Sequence, residues 1–258
     1  MEDFLVFLIV GFIAQIADGA LGMGFGVISS AVLLFQGFAP PLVSASVNAA
    51  KIPTGLAAGL SHGLQGNIDW RVARALVIGG VLGGLSGAVI LSGLKSPWLN
   101  GLVSLYLVIL GVLILIRAIR GRPPRLIASR RLGLIGAAGG LMEGIGGSWG
   151  PVVTSALLGV GLEPRRAIGS SALAELAVSA SVFVTLVLML WHGHWGEAEA
   201  GALQTLAPLA GLVCGALPAA FLGGRLAARA PRRILTFGVG AMALGIGLYR
   251  GLPLFFAA

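Results

Sequence analysis

Four ionisable side chains stand in or beside apolar stretches of this sequence. Lys51 lies near the middle of the run Leu42–Leu60, and Glu175 holds the matching place in Ala167–Trp191. Asp18 and Glu143 each close a shorter apolar run immediately before a glycine-rich break. Charged groups in apolar surroundings are costly, and they mark substrate or ion paths, proton relays or buried pairs. At helical spacing Ser44, Asn48, Lys51, Gly55 and Gly59 share one face, as do Ser171, Glu175 and Ser179. Ser170 adjoins the second stripe. Such stripes on apolar helices face the protein interior. Two readings of Lys51 and Glu175 stay open: an ion pair holding two parts of the chain together, or a positive charge that attracts an anion beside a gating carboxylate. Asp18, Glu143 and Glu175 are candidates for proton coupling or gating, with helix capping as the plainer role for Asp18 and Glu143.

The breaks themselves are Gly19-Ala-Leu-Gly-Met-Gly-Phe-Gly26 and Gly144-Ile-Gly-Gly-Ser-Trp-Gly-Pro151. A helix interrupted by glycine frees backbone N–H groups, and the N-terminus of its second arm favours an anion. The second arms are expected to begin at Val27 and Val152, with Pro151 suited to a first helical turn. Gly24, Gly26, Val27, Gly146, Gly150 and Val152 would thus cradle an anion, with Asn48, Ser148, Ser170 and Ser171 adding hydrogen bonds. Trp149 could form a stacking wall, and Gln15 lies in the first hairpin. Glycine serving only close packing is the alternative. His62 sits at a helix end beside Gly63, and His192 and His194 flank Gly193 next to Trp191 and Trp195; without Cys or carboxylates at ligand spacing, no metal site and no cofactor is expected.

The elements that carry these residues follow from composition. Of 258 residues 57% are hydrophobic and 10% charged, too few charges to cover a water-facing surface. A soluble globular enzyme and a disordered chain are both excluded. The net charge of +8 reads as loop charge that orients a membrane protein, not as a nucleic-acid footprint. The fold class expected is an all-α polytopic membrane protein. Six apolar runs approach the roughly 20 residues that span a bilayer. Four are shorter (Phe4–Ala17, Val27–Phe35, Leu132–Leu141 and Val152–Val160) and form two pairs around the glycine breaks.

The two halves match. At an offset of 122, Gly11, Gly22 and Gly24 fall on Gly133, Gly144 and Gly146. At 124, Gly26, Pro40 and Ser46 fall on Gly150, Pro164 and Ser170, and one residue further on Trp70 meets Trp195. The expected organisation is a first repeat over 1–116, a basic linker over 117–131 and a second repeat over 132–258. Fourteen of the 17 basic residues cluster at Arg71/Arg74, in the linker, at Arg165/Arg166 and over Arg225–Arg233. All four clusters are cytoplasmic only if each short pair forms a hairpin that enters and leaves on one side. Each half then has a broken-helix hairpin plus three crossings, the second half is inverted, and both termini are periplasmic. Inverted repeats with broken helices belong to secondary transporters with a midplane site.

At these residues the chain resembles the TauE/SafE family of the toluene-sulfonate uptake permease superfamily. The resemblance rests on Asp18–Gly26, Gly144–Pro151, His62–Trp70 and Pro164–Glu175, and it extends over nearly the whole chain outside the linker. It implies a multi-pass inner-membrane transporter of sulfite, of a sulfonate such as sulfoacetate, or of another small anion. The expected function is secondary transport, in the export direction, of a small sulfur-containing anion by alternating access. The partners are that anion, the lipid bilayer and a coupling proton, with no nucleic acid; the oligomeric state stays open, a homodimer among the options. A cation carrier is the alternative within transport. An intramembrane hydrolase using Ser170 or Ser171 with a histidine is the rival from another class.

Overall fold

The computed structural model describes residues 2–93, 96–120, 130–159, 162–195, 204–227 and 232–256. The centre of the linker, the Lys95 turn and the Glu197/Glu199 loop lie outside the described residues. Within them the chain forms ten helices and no strand: α1 (Glu2–Leu21), α2 (Phe25–Phe35), α3 (Pro40–Leu64), α4 (Trp70–Gly93), α5 (Ser96–Arg120), α6 (Arg130–Gly146), α7 (Gly150–Gly159), α8 (Pro164–Trp191), α9 (Leu206–Ala227) and α10 (Arg232–Phe256). Phe4–Leu21, Trp70–Gly93 and Pro164–Trp191 are long and apolar enough to cross a bilayer. Their outward faces expose Ile9, Ile13, Ile78, Leu82 and Val184, as expected of a surface solvated by lipid.

The first arm is longer than the apolar run that announces it. Hydropathy drops at Asp18, but the helix continues to Leu21, because the carboxylate of Asp18 finds a partner in the N–H of Phe25. The second arms start at Phe25 and Gly150, two residues earlier than expected, so each break is only three residues long. Proline sets the start of the long central helices. Pro40 and Pro164 occupy the first turn of α3 and α8, where the missing N–H would have had no intrahelical partner.

Glycine fixes how the helices meet. A Cβ on Gly79 or Gly83 of α4 would strike the carbonyl of Gly133 or Ala137 on α6, and one on Gly136 or Gly140 would strike that of Leu76 or Gly80. The partners rise together along both chains, so α4 and α6 run parallel in backbone contact. The same arrangement recurs between α1 and α9, with Gly211 against Phe4 and Gly215 against Leu8. Two further pairings are antiparallel: Gly55 and Gly59 of α3 face Leu176 and Leu173 of α8, and Gly111 and Gly247 of the α5–α10 pair face Leu244 and Val108. Without a hydrophobic driving force between helices in lipid, small residues that allow such approach are the main source of packing.

Candidate functional site

The two helix breaks are built alike. Gly22 (φ 65°) and Gly147 (φ 68°) occupy the left-handed region, which costs glycine nothing and other residues strain. Gly22 N–H donates to the Asp18 carbonyl, and Gly147 N–H to the Glu143 carbonyl. Each carboxylate then reaches over the break. Asp18 Oδ1 accepts from Phe25 N–H at 3.3 Å, and Glu143 Oε2 accepts from Trp149 N–H at 2.7 Å. The glycine counterpart of Gly22 is therefore Gly147 rather than Gly144, an offset of 125 that also brings Asp18 onto Glu143. The same offset carries Trp70, which opens α4, onto Trp195, beyond which residues 196–203 lie outside the described residues.

The two breaks touch. A Cβ on Gly26 would overlap the Gly147 carbonyl and approach Lys51 Nζ, and one on Gly150 would approach the Gly22 carbonyl and Met23. Lys51 sits against this junction. Its ammonium donates to both oxygens of Glu143, at 2.8 and 3.0 Å, and to the Gly147 carbonyl at 2.6 Å. It also pairs with Glu175 Oε1 at 2.8 Å. Sequence spacing had brought Lys51 and Glu175 together but gave no sign that Glu143 joins them. Ser179 Oγ completes the shell, donating to Glu143 Oε1 at 3.0 Å. Glu143 is fully buried, while the Glu175 side chain keeps 17% of its surface accessible.

Both polar stripes end on the second hairpin. From α3, Ser44 Oγ donates to the Gly144 carbonyl at 2.9 Å, and Asn48 Nδ2 donates to the Ser44 carbonyl and, at 3.4 Å, to that of Glu143. From α8, Ser171 Oγ accepts the indole N–H of Trp149 at 2.9 Å and bonds Thr154. Trp149 is completely buried and lies against Gly80 and Gly139, so its ring packs into the α4–α6 seam. Ser170 Oγ accepts the backbone N–H of Asp69 at 2.8 Å, which ties the α3–α4 loop to α8. Asp69 in turn caps α4 through the N–H groups of Arg71 and Val72. None of the hydrogen bonds of either serine goes to a histidine.

Beside the junction is a cavity of about 20 Å³ lined by Gln15, Asp18, Phe25, Lys51, Thr54 and Glu175, among others. A water molecule needs roughly 10–15 Å³ measured this way, so the space holds one water and no polyatomic anion. On the first hairpin Phe25 lines this cavity, whereas Gly24, Gly26 and Val27 do not. On the second, Gly146 lies against Tyr106, Ser148 Oγ donates to the Gly146 carbonyl, and Gly150 lies against Gly22 and Met23. Sequence reasoning missed Gly147, whose signal is its equal spacing from Glu143 as Gly22 has from Asp18. It also missed Tyr106, Thr54 and Ser30, whose Oγ donates to the Gly146 carbonyl at 2.6 Å; no motif distinguishes these three.

Comparison with known proteins bears on the whole chain. The family model described as Sulfite exporter TauE/SafE matches residues 7–250. The probable membrane transporter protein YtnM of Bacillus subtilis (strain 168) is 36% identical over 198 residues, which cover 74% of this chain and 66% of that protein. The match thus leaves about a third of the relative uncovered. No solved structure matches the chain.

Proposed function

Because the chain belongs to the TauE/SafE family, and is therefore a membrane transporter rather than an enzyme, we propose that it moves a small sulfur-containing anion, sulfite or an organosulfonate, out of the cell by alternating access at the junction of the two breaks. The observation that carries this reading is the position of Lys51, a buried cation wedged between two helix breaks and held by carboxylates from the second half. In the conformation described, those carboxylates occupy the cation and the N–H groups that an anion would use. Substrate entry then requires the hairpins to part, so that the anion replaces a carboxylate beside Lys51, with Gly24, Gly26, Val27, Gly146, Ser148 and Gly150 near it. One lysine faces Asp18, Glu143 and Glu175, so proton uptake on a carboxylate released from Lys51 would keep the site near neutrality.

Two inverted repeats, 1–116 and 132–258, are the architecture in which this would operate. Equivalent helices meet antiparallel (α3 with α8, α5 with α10), while α1 on α9 and α4 on α6 repeat one parallel contact. A twofold axis in the membrane plane produces this combination. The distribution of arginines supports a cytoplasmic linker, periplasmic termini and an inner-membrane location. Single cysteines at Ser129 and Glu197 are expected to react from opposite sides of the membrane, and reaction from one side would end the inverted-repeat reading.

Transport itself is tested in proteoliposomes with sulfite, sulfoacetate, taurine, thiosulfate and lactate. Sulfur anions are expected to move and lactate not to. The excess of carboxylates over lysine favours a second reading, a cation carrier. Cation flux that survives Lys51→Met and is lost on Asp18→Asn would replace the first reading by the second.

A further inference from the structure

A second polar station lies on the other helix that touches the hairpin tip. The ring of Tyr106, on α5, lies against Gly146: a Cβ there would come within 2.7 Å of Tyr106 Cε1 and 3.4 Å of its hydroxyl. Tyr106 is 8% exposed, and its hydroxyl makes no hydrogen bond. Its polar neighbour Ser148 directs its own Oγ to the Gly146 carbonyl at 3.4 Å. A separate crevice, too narrow in this conformation for a water molecule, is lined by Tyr106, Ser30, Val103, Ile145 and Gly146 and shares no residue with the cavity beside Lys51. A buried hydroxyl without a partner destabilises the state that leaves it so, and its presence calls for a role in another. In lipid, where water does not offer itself, that is more pressing still.

We infer that Tyr106 and Ser148 form a second oxyanion station, filled when the first hairpin, with Ser30, draws away from the tip 146–148 and the anion leaves Lys51. Two hydroxyls at a neutral site can donate hydrogen bonds to an oxyanion without a charge to hold it back, which suits release better than capture. The inference rests on the anion reading of the Lys51 site and extends it. Tyr106 would be a substrate-contacting residue in one conformation and an idle group in the conformation described.

The test is Tyr106→Phe, which keeps the ring on Gly146 and removes only the unpartnered oxygen. Melting temperature in detergent is expected to stay equal or rise, while sulfite or sulfoacetate flux in proteoliposomes falls at least tenfold. Ser148→Ala is expected to lower flux in the same direction. Wild-type flux with an unchanged rate in Tyr106→Phe overturns the second station and leaves the Lys51 reading standing. A fall in flux that accompanies a fall in melting temperature of the same variant assigns Tyr106 to packing and also overturns it. A wild type that neither transports any of the anions nor gains melting temperature in their presence overturns both readings together.

Discussion

The two hairpins share one backbone design but are held in very different ways. In the second, Glu143 receives Lys51, Ser179 and the Trp149 N–H, while Ser30, Ser44, Asn48 and Lys51 donate to carbonyls between Glu143 and Gly147. In the first, Asp18 accepts a longer bond from Phe25 N–H, and among the described residues no cation forms an ion pair with it. Among the described residues, the side chain bonded to the first break from elsewhere is Ser155, whose Oγ lies 3.7 Å from the sulfur of Met23. Asp18 instead faces the cavity, together with Glu175. A pair of equal elements, one gripped and one loosely held, is what a moving part and its anchor require: the second hairpin is fixed to α3 and α8, and the first is the freer of the two.

The largest break in this comparison comes from removing the shared cation. Lys51→Met leaves Glu143 and Glu175 without a cation, and breaking a buried pair in this way costs about 3–5 kcal/mol. A single ion pair with Glu175 would be repaired by adding Glu175→Gln. The arrangement here predicts that the double variant stays unstable, because Glu143 is still stranded, and that only the triple variant with Glu143→Gln regains wild-type melting temperature. Thermal unfolding of the single, double and triple variants in detergent decides between these outcomes. Full rescue by the double variant would show that Glu143 contributes little to holding the hairpin.

Which parts of this were legible beforehand depends on what each residue does physically. The polar stripes Ser44–Asn48–Lys51 and Ser171–Glu175–Ser179 stand out in apolar helices because a polar group there must be satisfied inside the protein. The proline starts of α3 and α8 gave the right register, which is why Lys51 and Glu175 were paired from spacing. The breaks were harder. Glycine does two jobs in this chain, close approach on α6 and left-handed turning at Gly22 and Gly147, and one-letter identity does not separate them. Aligning glycine on glycine put Gly22 on Gly144 and hid the match of Asp18 with Glu143. Hydropathy likewise ended α1 at Ala17, since it scores a carboxylate without its hydrogen bond. Tyr106 carries no signal at all in the sequence: its hydroxyl matters only through what surrounds it.

The smallest effect distinguishes the two carboxylates directly. Glu143→Gln takes one charged partner from Lys51 while Glu175 and the Gly147 carbonyl remain, so the loss is that of a charged hydrogen bond, about 1.5–3 kcal/mol. Asp18→Asn keeps an oxygen that can accept from Phe25 N–H, and Asp and Asn are nearly equal as helix caps, so the loss should stay below about 1 kcal/mol. Equal destabilisation by the two would remove the distinction between a gripped and a free hairpin. If the freer carboxylate is the one that exchanges protons during transport, Asp18→Asn should also retain folding while its anion flux no longer responds to an imposed pH gradient. Flux of Asp18→Asn that follows the gradient as the wild type does would move that role to Glu175, the other carboxylate lining the cavity.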